Sequence, residues 1–496
     1  MSNIRVTFSG LIAIVVGISS LLTGTVFTLI VTRSLTPEEF GTWSLIGGLV
    51  FYILIFEPIV SYWSTREIAR GTNSGGTAVF TSGLFSIPGI LVYFVIAYFV
   101  GLQANVDQDI LIFALILIPV MFLNRTLTAI CLGWKPQVTS YGLLIFELVK
   151  IPTALTFVYF LEMGVEGAII ATSLSYIGSI ILLAVYAREK IRNKINFGLI
   201  KKWIKISWIP LFPGISGMIF MLDVTIFTFI TGSVIGLAYY AAALAIAAFV
   251  AHAGLVSKAL YPKFLEGGKK EYLQENLIRF FYFAFALTAL SIVLAKPGLF
   301  ALNPLYDIAV PVVIFLTLRA FLYTLYGIFG QSLQGIEKVD INEKSKFKDY
   351  LKSKLFFVPA IQLIKFSIYI VSLVTMLIIL TPTYSQIDLV LYWSILSLAI
   401  EIPFILYMYK LLRKSFVLEI PLRNPLKYLI SSIGVFGMIY FLMEKYLVYK
   451  ISIFEFFPQV LLFVVIGIGS YLGITYLIDN NTRTLFHGII SELKKH

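Results

Sequence analysis

Eight charged side chains stand inside long apolar stretches of this sequence: Glu57, Arg125, Glu147, Lys150, Asp223, Arg319, Lys365 and Glu401. His252 is a ninth titratable group in the same setting. A charge at the centre of a bilayer costs about 2.5–3.5 kcal/mol on insertion scales, so each should face the interior of a helix bundle and either pair, bind an ion or touch a polar substrate. Glu147 and Lys150 are three residues apart, share a helix face and can neutralise each other. Lys365 has Gln362 where that acid would stand, so it must find an acid on another helix, contact an anionic substrate or snorkel. Arg125 and Arg319 fit substrate contact, snorkelling or pinning of the bundle. Glu57 and Glu401 stand beside Pro58 and Pro403, where a helix bend frees backbone groups and admits water, which makes them candidate proton or cation sites.

Other chemistry is excluded early. Cys131 is the single cysteine, so neither an internal disulfide nor a cysteine-rich metal site can form. No Walker-type phosphate loop occurs, so ATP is not expected to act directly. No loop between apolar blocks exceeds about 25 residues, too short for a soluble catalytic domain. The reading is therefore a non-enzyme, with no catalytic residues, no metal and no cofactor beyond H+ or Na+ as a coupling ion. Asn124-Arg125-Thr126 has the glycosylation pattern but falls inside an apolar block.

The elements that must hold these charges are membrane helices. The 496 residues are 59% hydrophobic and 13% charged, with a mean hydropathy of +0.92; a soluble chain is roughly 45–50% apolar and about 25% charged. The apolar residues gather in blocks long enough to cross hydrocarbon, at 6–31, 40–62, 78–101, 110–132, 139–161, 165–187, 207–231, 234–257, 280–295, 309–334, 356–380, 389–409, 428–443 and 458–478. The first is too long for a signal-peptide core. The expected fold is thus an all-α polytopic membrane protein of about fourteen spans. Segments 262–277 and 485–493 have helical apolar spacing and are expected to lie along the membrane surface.

Charge placement orients the chain. If both termini are cytoplasmic, 30 of the 38 Lys and Arg residues fall in the termini and in loops after even-numbered spans, as the positive-inside rule requires. The net charge of +12 is then a topology signal, and nucleic acid is not an expected partner.

A fragmentary repeat divides the spans. Glu147-Leu148-Val149-Lys150-Ile151 in span 5 matches Gln362-Leu363-Ile364-Lys365-Phe366 in span 11. Leu132-Gly133-Trp134-Lys135 parallels Gln334-Gly335-Ile336-Glu337-Lys338, and Gly41 parallels Gly236. All three fall in register with span number, which points to duplication of a six-span unit and to two pseudo-symmetric lobes related by an axis along the membrane normal. The expected organisation is an N-lobe at 1–190, a basic linker at 191–206, a C-lobe at 207–412, a C-terminal helix pair at 413–480 and an amphipathic tail at 481–496.

Several local motifs resemble the polysaccharide-biosynthesis flippases of the multidrug/oligosaccharidyl-lipid/polysaccharide (MOP) exporter superfamily. The most specific is Arg33-Ser34-Leu35-Thr36-Pro37-Glu38-Glu39-Phe40-Gly41, where Pro37 opens a helix and the acids suit its dipole. Gly164-Val165-Glu166-Gly167-Ala168 at the start of span 6, and Asp223 followed by Gly232-Ser233 and Gly236-Leu237-Ala238-Tyr239-Tyr240, are also similar. The resemblance implies alternating access of a central cavity, carrying a polyprenyl-phosphate-linked oligosaccharide or polysaccharide precursor across the plasma (inner) membrane of a prokaryote. It implies partners among membrane lipids and the glycosyltransferases or polymerases of the same pathway, and it adds Asp223, in a cavity-lining span, to the ion-coupling candidates. Spans 1 and 8 contain no mid-membrane Arg or Lys, so Arg33, Arg66, Arg70 and His252 would supply cations from the rims, beside Lys150, Arg319 and Lys365. The competing readings are a cation-coupled multidrug exporter of the same superfamily and an intramembrane glycan transferase or ligase.

Overall fold

The computed structural model describes residues 20, 23–69, 71–104, 106–205, 207–257, 260, 264, 270–337, 339, 347–416 and 423–484. Among them every regular element is helical. A chain with hydrocarbon for solvent must satisfy its backbone polar groups within each segment, and helices do this without an edge.

The principal helices are α1 (Pro37–Leu54), α2 (Pro58–Ala69), α3 (Gly75–Ala104), α4 (Gln108–Trp134), α5 (Gln137–Phe160) and α6 (Gly164–Ile191). After these come α7 (Phe197–Lys205), α8 (Trp208–Thr231), α9 (Ile235–Ser257) and α10 (Lys270–Val293). Last are α11 (Pro304–Gly335), α12 (Lys354–Leu380), α13 (Gln386–Phe416), α14 (Arg423–Tyr446) and α15 (Ile453–Ile478). Twelve helices among the described residues are long and apolar enough to cross a membrane, and thirteen if α1 and α2 count as one bent span. Of the first expected span, 23–34 is helical and 6–19 lies outside the described residues.

The helices fall into two compact units, Met1–Tyr239 with Phe366–Leu389, and Tyr240–Lys365 with Val390–His496. In the first, the turn before α1 is built as its sequence suggests. Thr36 caps the helix, accepting from the Glu39 amide at 3.2 Å while the Glu39 carboxylate accepts from the Thr36 amide at 2.8 Å, a reciprocal capping box. Gly41 follows because a Cβ there would lie 2.0 Å from the Val234 carbonyl oxygen, between α8 and α9. Gly164 has a φ of +58°, and a Cβ on it would lie 2.6 Å from Glu39 Oε1, so two of the motifs that are far apart in sequence meet in space.

One expectation about a surface segment changes. Residues 270–277 are not a separate surface helix but the first turns of α10. Leu273 and Leu277 are fully buried beside Phe280, Leu325 and Met408, because their apolar face finds protein to pack against. The stretch read as a linker contains α7, whose Ile200 and Trp203 are buried and whose Lys202 pairs with Glu67 at 3.1 Å. Segment 485–493 lies outside the described residues.

In the second unit the C-terminal pair is pinned by tyrosines. Tyr471 donates to the Tyr282 carbonyl at 2.8 Å, and the Tyr282 and Thr475 hydroxyls are 3.0 Å apart. Tyr428 donates to Asp479 at 2.7 Å just past the end of α15. Burial pushes the Asp479 carboxyl up, but hydrogen bonds from Tyr428, Thr482 and Lys427 outweigh it and hold the group below the usual aspartate value.

Candidate functional site

In the second unit, α12 and α13 bring Lys365 and Glu401 together. The Lys365 ammonium is 3.0 Å from both carboxylate oxygens of Glu401, and neither side chain is more than 3% exposed. Of the three options open to Lys365 in the sequence, the structure takes the acid on another helix. The same ammonium stands 3.9 Å from the centre of the Tyr326 ring and 5.1 Å from that of Tyr323, both on α11, a favourable electrostatic contact with the ring faces. Arg319, also on α11 and buried, donates to the Tyr240 hydroxyl at 3.4 Å, and the Tyr240 ring stacks on Trp393 with centroids 3.9 Å apart. The cluster thus gathers two cations, a carboxylate and tyrosine rings in a low-dielectric setting.

Among the described residues the first unit holds four buried carboxylates, Glu67 beside α7 and three inside the expected spans, Glu57, Glu147 and Asp223. Glu57 sits where α1 gives way to α2, a break of 56°, and accepts from Ser61 at 3.1 Å and Thr126 at 3.4 Å, with the opposite charge of Arg125 acting on it. The bend falls at Pro58, whose ring cannot continue the preceding hydrogen-bond ladder. Glu147 and Lys150 form the expected ion pair at 2.6 Å. Glu147 also accepts from the hydroxyls of Ser20 and Thr23, each at 2.6 Å, and Lys150 lies near the rings of Phe146 and Phe27 at 5.0 and 5.4 Å. Asp223 on α8 accepts from the Tyr369 hydroxyl at 2.7 Å and from the Val224 amide at 2.8 Å. On the same stretch of α8, Tyr52 hydrogen-bonds the Met221 carbonyl and lies 2.8 Å from the Thr225 hydroxyl.

Two of the rim candidates have local partners. Arg66 is exposed and donates to Tyr62 at 2.8 Å. His252 has its Nδ1 3.3 Å from the Phe249 carbonyl. Arg33 is half-buried at the end of the helical segment 23–34 that precedes α1, and Arg70 lies outside the described residues. Among the described residues no three His, Cys, Asp or Glu side chains converge as a metal site would require.

No protein-family profile matches this sequence, and no curated protein sequence does. Solved structures do. The lipid II flippase MurJ in an inward closed conformation is similar over 96% of this chain and 99% of that one, with a TM-score of 0.63 at 15% identity. An inward-facing multidrug resistance MATE family transporter of the MOP superfamily is similar over 80% of this chain and 95% of that one, with a TM-score of 0.58 at 14% identity. The chain shares the fold of these two structures.

Within this fold the sequence exposed the charged half of each cluster and missed the hydroxyl half. Tyr369 is four residues after Lys365 and Tyr326 seven after Arg319, spacings that put each on the same helix face as the neighbouring charge. That periodicity is the signal that points to them, but tyrosine alone inside an apolar block reads as packing. Ser20, Thr23, Ser61 and Thr126 are quieter still, since small hydroxyls occur throughout membrane helices.

Proposed function

We propose that this chain is a flippase that carries a polyprenyl-phosphate-linked oligosaccharide or polysaccharide precursor across the plasma membrane of a prokaryote by alternating access. The observation that carries the reading is the likeness to a lipid II flippase over nearly the whole of both chains, where the likeness to the multidrug transporter leaves a fifth of this chain unmatched. The motif resemblance and the basic loops point the same way, with both termini cytoplasmic. A glycan head group cannot enter hydrocarbon without losing its hydrogen bonds to water, so a protein-lined polar path removes the barrier, while the isoprenoid tail stays in lipid. Glycosyltransferases or polymerases of the same pathway would supply and consume the carried lipid.

Within this reading the Lys365–Glu401 and Glu147–Lys150 pairs are bundle-holding elements. Asp223 and Glu57, buried carboxylates that accept from the hydroxyls of Tyr369 and Ser61, are the groups assigned to exchanging a proton or Na+. In proteoliposomes loaded with a short-chain polyprenyl-phosphate-linked glycan, the wild type should translocate it and Asp223→Asn and Glu57→Gln should lose the dependence on an ion gradient. Translocation absent from a folded wild-type protein would sink the flippase reading. If both variants keep full gradient dependence, the coupling assignment fails and the substrate assignment stands. The MATE likeness favours a second reading, cation-coupled drug export, which predicts dye efflux in place of glycolipid movement.

A further inference from the structure

Between α12 and α13 the second unit has a lateral cavity of about 320 Å³ lined by Phe357, Ile361, Ile364, Pro403, Phe404 and Tyr407. Phe357, Ile364 and Tyr407 are exposed, so the cavity opens on the face that lipid chains bathe. Its walls are two stripes with helical spacing. On α12 the stripe runs Lys354, Phe357, Ile361, Ile364, and on α13 it runs Pro403, Tyr407, Lys410, Lys414, steps of three and four that keep each set on one side of its helix. The helices are antiparallel neighbours: Lys365 meets Glu401, and eleven residues earlier on α12 the Lys354 ammonium donates to Ser415 at 3.1 Å. Both stripes therefore end in lysine at the same end of the groove. Lys410 and Lys414 are exposed and make no ion pair among the described residues, and the Lys354 ammonium donates to a neutral hydroxyl while its backbone amide donates to the Glu337 carboxylate at 2.9 Å, one acid beside three lysines. An apolar trough closed at one end by three ammonium groups has the layout of an anionic amphiphile.

We propose that this groove binds an anionic glycerophospholipid of the surrounding bilayer, with an acyl chain along Phe357, Ile361, Ile364 and Tyr407 and the phosphate at Lys354, Lys410 and Lys414. Basic pockets between membrane helices bind acidic headgroups in this way. The site is separate from the carboxylates assigned to ion exchange, and its occupant is a resident lipid rather than the carried one. A lipid seated there ties the start of α12 to the end of α13, above the Lys365–Glu401 pair.

The test uses the full chain in nanodiscs, with native mass spectrometry counting the phosphatidylglycerol and phosphatidylcholine retained as collisional activation releases the protein from the disc. The wild type should retain phosphatidylglycerol in preference. Lys410→Gln combined with Lys414→Gln should cut that preference about tenfold to thirtyfold and leave phosphatidylcholine unchanged, and Ile364→Trp, which fills the trough from an exposed position, should reduce retention of both. An unchanged preference in the double variant overturns the proposal. So does a polyprenyl phosphate that displaces phosphatidylglycerol in the wild type but not in Ile364→Trp, because the groove would then belong to the carried lipid.

Discussion

Lys150 in the first unit and Lys365 in the second occupy matching places in the sequence repeat, and each is buried against a carboxylate and aromatic rings. They differ in where the acid comes from. Glu147 lies on the same helix as Lys150, so that pair neutralises itself, and its spare lone pairs reach Ser20 and Thr23. Glu401 comes from α13, so the Lys365 pair is itself the tie between two helices. The lesson is that one buried lysine can serve either as a self-contained polar patch or as a cross-link, and that changing a single residue, glutamate to Gln362, separates the two.

The contrast is open to direct attack. Glu401→Ala should cost the most, about 3–5 kcal/mol, since removing one partner of a fully buried pair strands the other charge. Denaturant unfolding in detergent reads this loss, and Lys365→Met with Glu401→Leu should recover most of it. Additive losses in the double variant would mean the pair is not a coupled unit. Glu147→Gln should cost less, about 1–3 kcal/mol, because the amide oxygen still accepts from one of the two hydroxyls that now donate to separate carboxylate oxygens, and the other hydroxyl can turn to accept from the amide nitrogen; hydrogen exchange should then quicken over 23–34. A penalty equal to that of Glu401→Ala would erase the distinction between the two sites.

Smaller effects sharpen the comparison. Tyr326→Leu removes the ring 3.9 Å from Lys365 and should cost about 1–2 kcal/mol, against about 0.5–1 for Phe146→Leu beside the slightly more accessible Lys150. Equal costs would show that the closer tyrosine ring adds nothing to the second pair beyond what the phenylalanine ring gives the first. The least effect is expected at Asp479, outside both clusters. Its carboxyl lies below the ordinary value of 3.8, so its contribution is complete above that value and is lost as the pH falls through the depressed one. Exchange at 475–484 should rise only in that acid range, and Asp479→Asn should abolish the step.

How much of this was legible beforehand depended on the physics of each feature. Helices declared themselves through hydropathy because lipid imposes length and composition together. The intrahelical pair of Glu147 and Lys150 was readable from spacing, as was the bend beside Glu57 from Pro58. The partner of Lys365 was not, since which acid it meets is set by how α12 packs on α13, and sequence separation carries no record of that. The first turns of α10 were misplaced for a related reason. An amphipathic stretch announces that it needs an apolar surface but not whether lipid or protein supplies it, and here Phe280 and Met408 do.

Gly41 leaves one more consequence. Where α1 begins, its backbone abuts the carbonyl of Val234, with no side chain between them. Side chains absorb small displacements by changing rotamer, and a backbone contact has no such give. Within the first unit, the turn before α1 and the turn between α8 and α9 must therefore travel as one rigid fulcrum, and any flexing of those helices has to happen elsewhere along their length.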